Sequence, residues 1–376
     1  MTVLLVNMSV DLVTGGGTAA RTMSIAQSIQ SDFKRECIVL ATDQGLIKGV
    51  VSEYSEVNLI LLHSIVNRFY IPYFSFLQLS KLVKKTEIIH LMSHWTVINI
   101  VVYFMARFYN KPYTFCPAGT LKIFGRSSVL KKIYNYVIGK KIIKNAFMCI
   151  VITEKEKSDF DDFKINYNKI TTIPNGISPC EFYPNSTAKK LFVKNFNLEN
   201  VEYLLFMGRL NEIKGPDLLL KAFIKLSSEF KKLHVVFAGP DEGMKKSLTN
   251  EAKKYFLSDR VHIIGHVAGD YKVGAYCGAK LLVIPSRREA MSIVALEAGA
   301  CGTPVLLTTE CGFDEVKEVG CEVVTPSVEG LYKGAQRMLK FKKLDYIGDE
   351  LRQKVIDKYT WKNTASMYLK INGQAK

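Results

Sequence analysis

The sequence lacks several features that would assign the protein to a broad class at once. No apolar run reaches the ~20 residues that a membrane-spanning helix needs, and the longest, Val97 to Ala106, is followed directly by Arg107. The eight cysteines form no Cys-x-x-Cys pair and no Cys/His cluster with zinc spacing. We therefore expect reduced thiols in a cytoplasmic protein. The first residues lack a basic segment and a small-residue cleavage site, so we expect no signal peptide.

Acidic residues are absent from one long stretch, between Glu87 and Glu154, although the chain as a whole carries a net charge of +16. A long stretch without counter-charge indicates an anionic partner, which could be nucleic acid, a membrane surface or a phosphorylated substrate. The alternative is a solvated basic face. The basic residues of this stretch are Arg107, Lys111, Lys122, Arg126, Lys131, Lys132, Lys140, Lys141 and Lys144.

A chain of 376 residues is too long for one ordinary core, so we expect two domains. Short apolar strands alternate with helices in both halves, which is typical of parallel sheets covered on both faces. A proline-rich connector, KITTIPNGISPCEFYP, separates the halves. We predict an α/β protein with two Rossmann-like, doubly wound domains and a cleft between the carboxyl ends of their strands. The predicted strands are TVLLVNM, ECIVLAT, EIIHLMS, KPYTFCPAG and NAFMCIVIT, then EYLLFMGRL, LHVVFAGPDEG, VHIIGHV, KLLVIPS and GTPVLLTT.

Three consecutive glycines, Gly15, Gly16 and Gly17, follow the first strand and precede a helix predicted from Thr18 to about Gln30. Without side chains, this backbone lets a phosphate or a sugar approach amides at the positive end of a helix. The motif is not the spaced G-x-G-x-x-G of dinucleotide folds, and no acidic residue ends the second strand. The alternative is a tight turn without a ligand.

Two basic residues, Arg209 and Lys214, lie five positions apart after a strand of the second half. A guanidinium and an ammonium at the carboxyl end of a strand suit a diphosphate. Surface Arg and Lys are common, so the position at a strand end is what favours this interpretation.

Two glutamates, Glu289 and Glu297, lie eight positions apart around the start of a helix predicted from Ser292 to about Ala300. Eight helical residues span ~12 Å, which matches the distance between the two ends of a nucleoside-diphosphate sugar. Each glutamate would accept hydrogen bonds from hydroxyl groups of such a ligand, one glutamate on either side of its phosphates. The alternative for Glu297 is a buried carboxylate paired with a lysine. The amides expected to point outward and take the phosphate are those near Met291, Ser292 and Ile293.

The second half resembles the C-terminal domain of the retaining glycosyltransferases of family 4, which have GT-B architecture. The segments that carry the likeness are GRLNEIKGPDLLLKAF, VHIIGHV and PSRREAMSIVALEAGACGTPVL, with the family's Glu-x7-Glu signature as Glu289 and Glu297. TTIPNGISPCEFYP is similar to the interdomain connector, and YTWKNTASMYLKIN to the closing helix that returns to the first domain. The resemblance implies an acceptor-binding domain at 1–172, a donor-binding domain at 173–355 and a returning helix at 356–376.

The resemblance also implies roles for single residues. Glu297 would hold the ribose hydroxyls and Glu289 the hydroxyls of the donor sugar. Arg209 and Lys214 would neutralise the leaving diphosphate in place of a metal ion, so no cofactor is expected. The remaining contacts would come from the backbone of His266 and Val267, which would meet the base, and from the Gly15–Gly17 loop, which would approach the donor phosphate or the acceptor.

The first half departs from the family pattern at several positions. Ala118 stands where relatives often carry His or Arg, and Met92 takes the place of a histidine in HLMSHW. His90 and His94 are both candidates for substrate contact, and we take His94 as a catalytic residue. The alternative for each is a structural histidine. The D-x-D formed by Asp159 and Asp161 falls on a predicted solvated helix, so we expect no metal there.

The expected activity is transfer of a sugar from a UDP- or GDP-linked donor to a hydroxyl of a saccharide acceptor, with retention of the anomeric configuration. The expected role is in the biosynthesis of a cell-surface polysaccharide such as lipopolysaccharide. A donor phosphate oxygen would receive the acceptor proton. One alternative is a sugar-nucleotide epimerase of the same architecture, which would need acid/base residues around the sugar. The other is a basic nucleic-acid or membrane-binding module, which leaves the paired glutamates unexplained; we expect no nucleic acid.

The stretch SSVLKKIYNYVIGKKIIKN is predicted to form a helix from about Ser128 that rests in the headgroup layer of an anionic membrane. Ile133, Tyr136 and Val137 share one face, with lysines towards the flanks. We therefore expect peripheral attachment to the inner face of the cytoplasmic membrane and a lipid-linked saccharide as acceptor. The alternative is an enzyme with a soluble acceptor and a merely basic surface.

Overall fold

The computed structural model describes residues 2–11, 15–46, 56–66, 70–123 and 127–374. The chain divides into two compact units, one formed by Met1–Gly176 with Trp361–Lys376 and the other by Ile177–Thr360. The expected boundaries lay at 172/173 and 355/356, a few residues before those of the structure. In the described ranges, no helix combines the length and the apolar character needed to cross a bilayer.

The first unit contains, among its described residues, a seven-stranded parallel sheet and a separate two-stranded antiparallel one. The order of the large sheet is β3-β2-β1-β6-β7-β8-β9. The strands are β1 (Thr2–Ser9), β2 (Glu36–Thr42), β3 (Asn58–Leu62), β4 (Ser64–Val66), β5 (Ile71–Pro72), β6 (Ile88–Met92), β7 (Tyr113–Cys116), β8 (Met148–Val151) and β9 (Ile170–Thr172). The helices are α1 (Gly16–Ser31), α2 (Phe76–Lys85), α3 (Val97–Phe108), α4 (Ser128–Tyr134), α5 (Lys140–Lys144) and a C-terminal helix (Trp361–Gln374).

Alternate residues of β1 enter different cores, because side chains of a strand point to opposite faces. Leu4 and Val6 pack in one core with residues of α2 and α3. Val3 and Leu5 pack in the other core with residues of α1 and the C-terminal helix. Both faces of the sheet are therefore covered, which explains why the central strands are mostly apolar on both faces.

Arg21 of α1 fixes the connector and the C-terminal helix to the first unit. Its guanidinium is fully buried and donates to the carbonyl oxygens of Ile173 and Pro174, to Oδ1 of Asn175 and to the hydroxyl of Tyr368. A buried charge needs such a set of partners, because an unpaired one would cost several kcal/mol.

The second unit contains, within the described residues, a six-stranded parallel sheet of order β12-β11-β10-β13-β14-β15. Its strands are β10 (Glu202–Met207), β11 (Leu233–Ala238), β12 (Val261–Gly265), β13 (Leu281–Ile284), β14 (Val305–Thr308) and β15 (Glu322–Val324). Its helices are α6 (Ser186–Asn195), α7 (Pro216–Leu226), α8 (Lys245–Lys254), α9 (Gly269–Gly278), α10 (Ile293–Ala300), α11 (Val328–Lys340) and α12 (Leu344–Lys358).

The predicted fold class, two Rossmann-like α/β domains with parallel sheets, is confirmed. Five short strands, β3, β4, β5, β9 and β15, were not predicted, because short segments with mixed polarity carry little periodic signal. The predicted helix from Ser128 is present, but Asn135–Gly139 forms a π-helical turn between α4 and α5.

Candidate functional site

Two loops of the second unit are joined at the carboxyl ends of β10 and β11. The Leu210 amide donates to the Pro240 carbonyl oxygen at 2.9 Å, and the Glu242 amide donates to the Leu210 carbonyl oxygen at 3.2 Å. Gly239 has no room for a side chain, because a Cβ there would lie 1.9 Å from the Gly208 carbonyl oxygen. The loops therefore hold the residues at their tips in fixed positions.

Arg209 lies at the tip of the first loop and pairs with Glu242 of the second. The guanidinium Nη1 is 2.9 Å from Oε1 of Glu242, and the side-chain amide Nδ2 of Asn211 donates to Oε2 at 2.6 Å. Burial acts to raise the pKa of Glu242, but the hydrogen bonds from Asn211 and Arg209 outweigh it, and this pKa lies below its ordinary value. Arg209 is thus a half-exposed cation held at the strand end by a carboxylate.

Lys214 pairs with Glu289, so two of the predicted site residues meet. The ammonium nitrogen is 3.0 Å from Oε1 of Glu289, and the Ser286 hydroxyl donates to Oε2 at 3.2 Å. Lys214 precedes α7 and Glu289 lies between β13 and α10, so both side chains lie at the carboxyl edge of the sheet. The two predicted groups form an ion pair, which the sequence did not indicate.

The amides at the start of α10 are not all oriented as the sequence predicted. The Ser292 amide does not point outward, because it donates to the Cys311 carbonyl oxygen at 3.1 Å, and Met291 is buried. Ser292 instead caps the helix, its hydroxyl accepting from the Ala295 amide. The first turn still offers the amides of Ile293 and Val294, since a helix gives its first amides no intrahelical partner.

Glu297 is 6% exposed and both of its carboxylate oxygens have partners from α9. Lys272 places its ammonium nitrogen 2.7 Å from Oε1, and the Tyr276 hydroxyl donates to Oε2 at 2.6 Å. Burial and the Glu297 charge raise the pKa of Tyr276 well above its ordinary value, so it stays a donor. The structure therefore shows the alternative for Glu297, a buried carboxylate paired with a lysine. Carboxylate oxygens have further acceptor capacity for ribose hydroxyls.

His266 and Val267 follow β12 and lead into α9, the helix that carries the partners of Glu297. His266 is exposed and Val267 is buried. The Gly265 carbonyl oxygen accepts from the Gly239 amide at 2.7 Å, which ties this segment to the end of β11. The segment therefore lies at the same edge of the sheet as Arg209 and Glu242.

The glycine loop of the first unit begins α1, two residues earlier than expected. A Cβ on Gly15 would lie 2.8 Å from the Asp11 carbonyl oxygen, so no side chain fits there. Gly16 has a φ of +54°, and no atom of the described residues lies within 4 Å of a Cβ placed there; Gly17 is exposed. The loop thus leaves room for a ligand close to the backbone.

His94 is buried, which favours the structural alternative over the predicted contact with substrate. Its Nε2 is 2.8 Å from Oδ1 of Asn135, and the ring packs edge-on against Phe115 and Tyr134. Burial lowers the pKa of His94 to about 4 and that of His90 to about 3, so both rings are neutral near pH 7. His90 is fully buried and bonds Thr114 at 2.7 Å.

The D-x-D pair also has structural partners. Asp159 binds Lys122 at 2.6 Å, and Asp161 accepts from the Tyr167 hydroxyl at 2.8 Å. These contacts assign both carboxylates to the folding of the segment that precedes β9.

Sequence reasoning did not identify Lys272, Tyr276 and Glu242, the partners of the predicted site residues. Lys272 and Tyr276 are four positions apart, so they share one face of α9, and this spacing was the available signal. Glu242 stands three positions after the Gly239 turn, and no spacing rule connects it with Arg209.

Comparison with known proteins shows that most of the second unit is similar to a family of glycosyltransferases. Residues 188–356 match the family described as glycosyl transferases group 1. An uncharacterized glycosyltransferase of Methanocaldococcus jannaschii is 34% identical over 212 residues, which cover 54% of this chain and 53% of that protein. A D-inositol 3-phosphate glycosyltransferase of Corynebacterium jeikeium is 30% identical over 183 residues, covering 46% of this chain and 44% of that protein. The chain thus spans about half the length of the curated relatives it matches.

The solved structure of Anabaena HepE in complex with UDP and glucose has a TM-score of 0.80, with 16% identity over the full length of both chains. At this identity the likeness shows the fold alone, and it confirms the predicted GT-B class. The segment that carries Arg209, Lys214, Glu289 and Glu297 matches the glycosyl transferases group 1.

Proposed function

We propose that the protein is a glycosyltransferase that transfers a sugar, with retention of anomeric configuration, from a nucleoside-diphosphate sugar to a hydroxyl of a lipid-linked saccharide. The family match and the glycosyltransferase relatives support the activity. The single observation that carries the proposal is the geometry around α10. Glu289, paired with Lys214, precedes the helix, and Glu297, paired with Lys272 of α9, lies within it.

The donor would lie along the carboxyl edge of the second sheet. Its diphosphate would meet Arg209, Lys214 and the amides of Ile293 and Val294, which supply positive charge and donors. Its ribose would bind Glu297, and its sugar hydroxyls would bind Glu289. We assign the base to the backbone after β12, with UDP or GDP as the nucleotide; HepE, which shares the fold, was solved with UDP.

In the proposed reaction, the acceptor hydroxyl attacks the anomeric carbon from the side that the diphosphate leaves. A phosphate oxygen of the donor takes the acceptor proton. The protein contributes positioning and fixed charge, because negative charge develops on the diphosphate as the glycosidic bond breaks. Glu289 would hold Lys214 until the donor binds. Lys214 would then contact the diphosphate, and Glu289 would contact the sugar. No metal ion or cofactor is needed in this scheme.

The acceptor would be presented by a membrane surface at the first unit. The helical run from α4 to α5 exposes large apolar side chains, with Tyr136 85% and Val129 67% exposed. Exposed lysines flank them at Lys132, Lys140, Lys141 and Lys144. Apolar side chains beside lysines suit the headgroup layer of an anionic membrane. The Tyr134 hydroxyl donates to the Thr96 carbonyl oxygen at 3.3 Å, which fixes this run beside the start of α3.

The proposal is tested by incubating the protein with a panel of UDP- and GDP-linked sugars and following slow donor hydrolysis by nuclear magnetic resonance. We expect one donor to be hydrolysed fastest and the released sugar to appear first in the anomeric form of the donor. Initial release of the opposite anomer would contradict retention, and binding of no nucleotide would contradict the donor assignment.

A further inference from the structure

Asn135, at the start of the π-helical turn between α4 and α5, bonds two neighbouring residues of the loop that follows β6. Its Oδ1 lies 2.8 Å from Nε2 of His94 and 3.0 Å from Nε1 of Trp95. An indole N–H can only donate, so the Asn135 atom that faces Trp95 is the oxygen. The Asn135 amide is therefore fixed in one orientation, with its nitrogen Nδ2 turned away from the loop.

The same arrangement decides the tautomer of His94. Because Oδ1 of Asn135 accepts, Nε2 of His94 carries the proton and Nδ1 carries a lone pair. Nδ1 is buried and has no hydrogen-bond partner among the described residues. One ring nitrogen is thus used by Asn135 and the other is enclosed, so His94 acts as a positioning residue for the Asn135 amide.

The π-helical turn, Asn135–Gly139, leaves room for this amide. A Cβ on Gly139 would lie 2.9 Å from Oδ1 of Asn135, so a side chain there would displace it. Turns of this kind inside helices occur frequently at functional sites. Within the described part of the chain, the side chain of Asn135 bonds only His94 and Trp95, both through Oδ1. Asn135 is half-buried, so its two remaining N–H groups can donate to a ligand.

Lys131 brings a positive charge to the same place. It precedes Asn135 by four positions, so the two side chains share one face of the helix. Its ammonium nitrogen lies 4.5 Å from the centroid of the Trp95 ring, whose Nε1 bonds Asn135. Positions 88–153 contain no acidic residue, so α3, α4 and α5 have no carboxylate that would compete for an anion. A cation and an oriented amide therefore flank one half-buried indole ring.

The loop that carries Trp95 lies where sheets of this kind bind ligands. In the order β3-β2-β1-β6-β7-β8-β9, the chain proceeds outwards in opposite directions from β1 and from β6. Ligands bind outside the carboxyl ends of the strands at such a switch point. The Ser93 hydroxyl donates to Oδ1 of Asn7 at 3.2 Å, which ties the loop to β1. Ser93 and Trp95 have φ values of +68° and +55°, a costly left-handed backbone that these contacts maintain.

We propose that Asn135 and Lys131 bind a phosphate group of the acceptor beside the Trp95 ring. Nδ2 of Asn135 donates to one phosphate oxygen, and the Lys131 ammonium forms a charge-assisted hydrogen bond with another. The acceptor is then a sugar phosphate or a saccharide carried on a lipid phosphate, which present the same group. That the phosphate belongs to an acceptor rests on the proposed function, whereas the phosphate site itself does not.

The first experiment uses the indole N–H of Trp95 as a reporter, because the chain has two tryptophans and Trp361 serves as the internal control. The isotope-labelled full-length protein is titrated with glucose 6-phosphate and with farnesyl phosphate in detergent, each against its uncharged counterpart, glucose or farnesol. We expect the Trp95 resonance to shift with at least one phosphate, but not with its counterpart, while Trp361 stays in place.

The two phosphates distinguish the sources of the group. A shift with glucose 6-phosphate alone assigns a soluble sugar phosphate, and a shift with farnesyl phosphate alone assigns a lipid phosphate. A shift with both shows that the phosphate itself is recognised. No shift of Trp95 with either phosphate overturns the site, and so does an equal shift with the uncharged counterparts.

Asn135→Asp separates binding from folding. Its carboxylate still accepts from His94 and Trp95, but it replaces the Nδ2 donor by an acceptor and repels phosphate. We expect the phosphate that shifts Trp95 to bind at least tenfold more weakly, with the circular dichroism of the wild type. Asn168→Asp, at an exposed position of the first unit, adds the same charge and should bind as the wild type does. Equal weakening in the two variants overturns the role of Asn135.

The positioning role of His94 is tested by two substitutions. A glutamine at this position can still donate to Asn135, whereas a leucine cannot. We expect His94→Leu to move the Trp95 resonance of the free protein and to weaken phosphate binding, and His94→Gln to restore most of the affinity. The same affinity in both variants overturns this role. If no nucleotide binds in the donor panel, the proposed function fails, and these titrations still decide the phosphate site.

Discussion

Lys272 places its ammonium nitrogen 2.7 Å from Oε1 of Glu297, and Tyr276, one turn later on the same helix, donates to the other carboxylate oxygen. The carboxylate is therefore compensated before any ligand arrives. Removing Lys272 would leave a buried charge without its cation, which typically costs about 1–3 kcal/mol. We expect Lys272→Met to lower the free energy of unfolding by about this amount in urea titrations. Lys225→Met is the control, since the Lys225–Glu329 pair is half-exposed, and equal losses in both variants would contradict the argument.

The two glutamates should act on different ends of the donor. Glu297→Ala should weaken the binding of free nucleotide and of nucleotide sugar alike, because Glu297 is assigned to the ribose. Glu289→Ala should lower turnover with less effect on free nucleotide, because Glu289 is assigned to the sugar. Calorimetry with UDP and GDP, together with donor hydrolysis rates, separates the effects. Unchanged nucleotide affinity in Glu297→Ala, in a protein with wild-type circular dichroism, would rule out the ribose assignment.

Arg209→Ala and Lys214→Ala should each lower turnover by ~10²-fold or more, because charge develops on the leaving diphosphate and a preorganised donor is lost. Lys221→Ala, which removes an exposed lysine of α7, is the control and should keep its rate. EDTA should leave the wild-type rate unchanged. A rate that EDTA abolishes and manganese restores would contradict the metal-free scheme.

The membrane proposal predicts salt-dependent binding to vesicles. Wild-type protein should sediment with anionic but not with neutral vesicles and be released at high salt, since each lysine near the surface contributes about 1 kcal/mol. Changing Lys132, Lys140, Lys141 and Lys144 together to Gln should keep the protein in solution. The matched control changes four exposed lysines of the second unit, Lys245, Lys246, Lys253 and Lys254, to Gln. Equal loss of binding in both variants would show that net charge, rather than this helical run, attaches the protein.

The buried His90 predicts how stability varies with pH. Burial lowers its folded pKa from 6.5 to about 3, so between these values the unfolded chain binds the proton and the folded chain does not. The free energy of unfolding is therefore not reduced by His90 above pH 6.5, and it falls as the pH decreases below that value. Between pH 7 and pH 5 the decrease amounts to about 2 kcal/mol. Urea titrations of the wild type and His90→Gln at both pH values measure it, and equal pH dependence in the two proteins would contradict it.

The fold class and the charged residues that follow β10 and β13 could be read from the sequence because they depend on local patterns. Apolar strands that alternate with helices predict parallel sheets. A residue in the loop that follows a strand lies at the edge of the sheet, whichever partner it has. Arg209, Lys214 and Glu289 all lie in such loops.

Only the tertiary structure decided the partners of these side chains. Glu242, Lys272 and Tyr276 lie 21 to 33 positions away from the residues they bind. Sheet order determines such pairs, because β11 lies beside β10 and α9 packs near α10, and no periodicity in the chain encodes that adjacency. Burial was decided in the same way. His94 and Ser292 both follow strand ends, as substrate-binding groups do. In the structure, however, the His94 ring bonds Asn135, and the Ser292 amide donates to the Cys311 carbonyl oxygen.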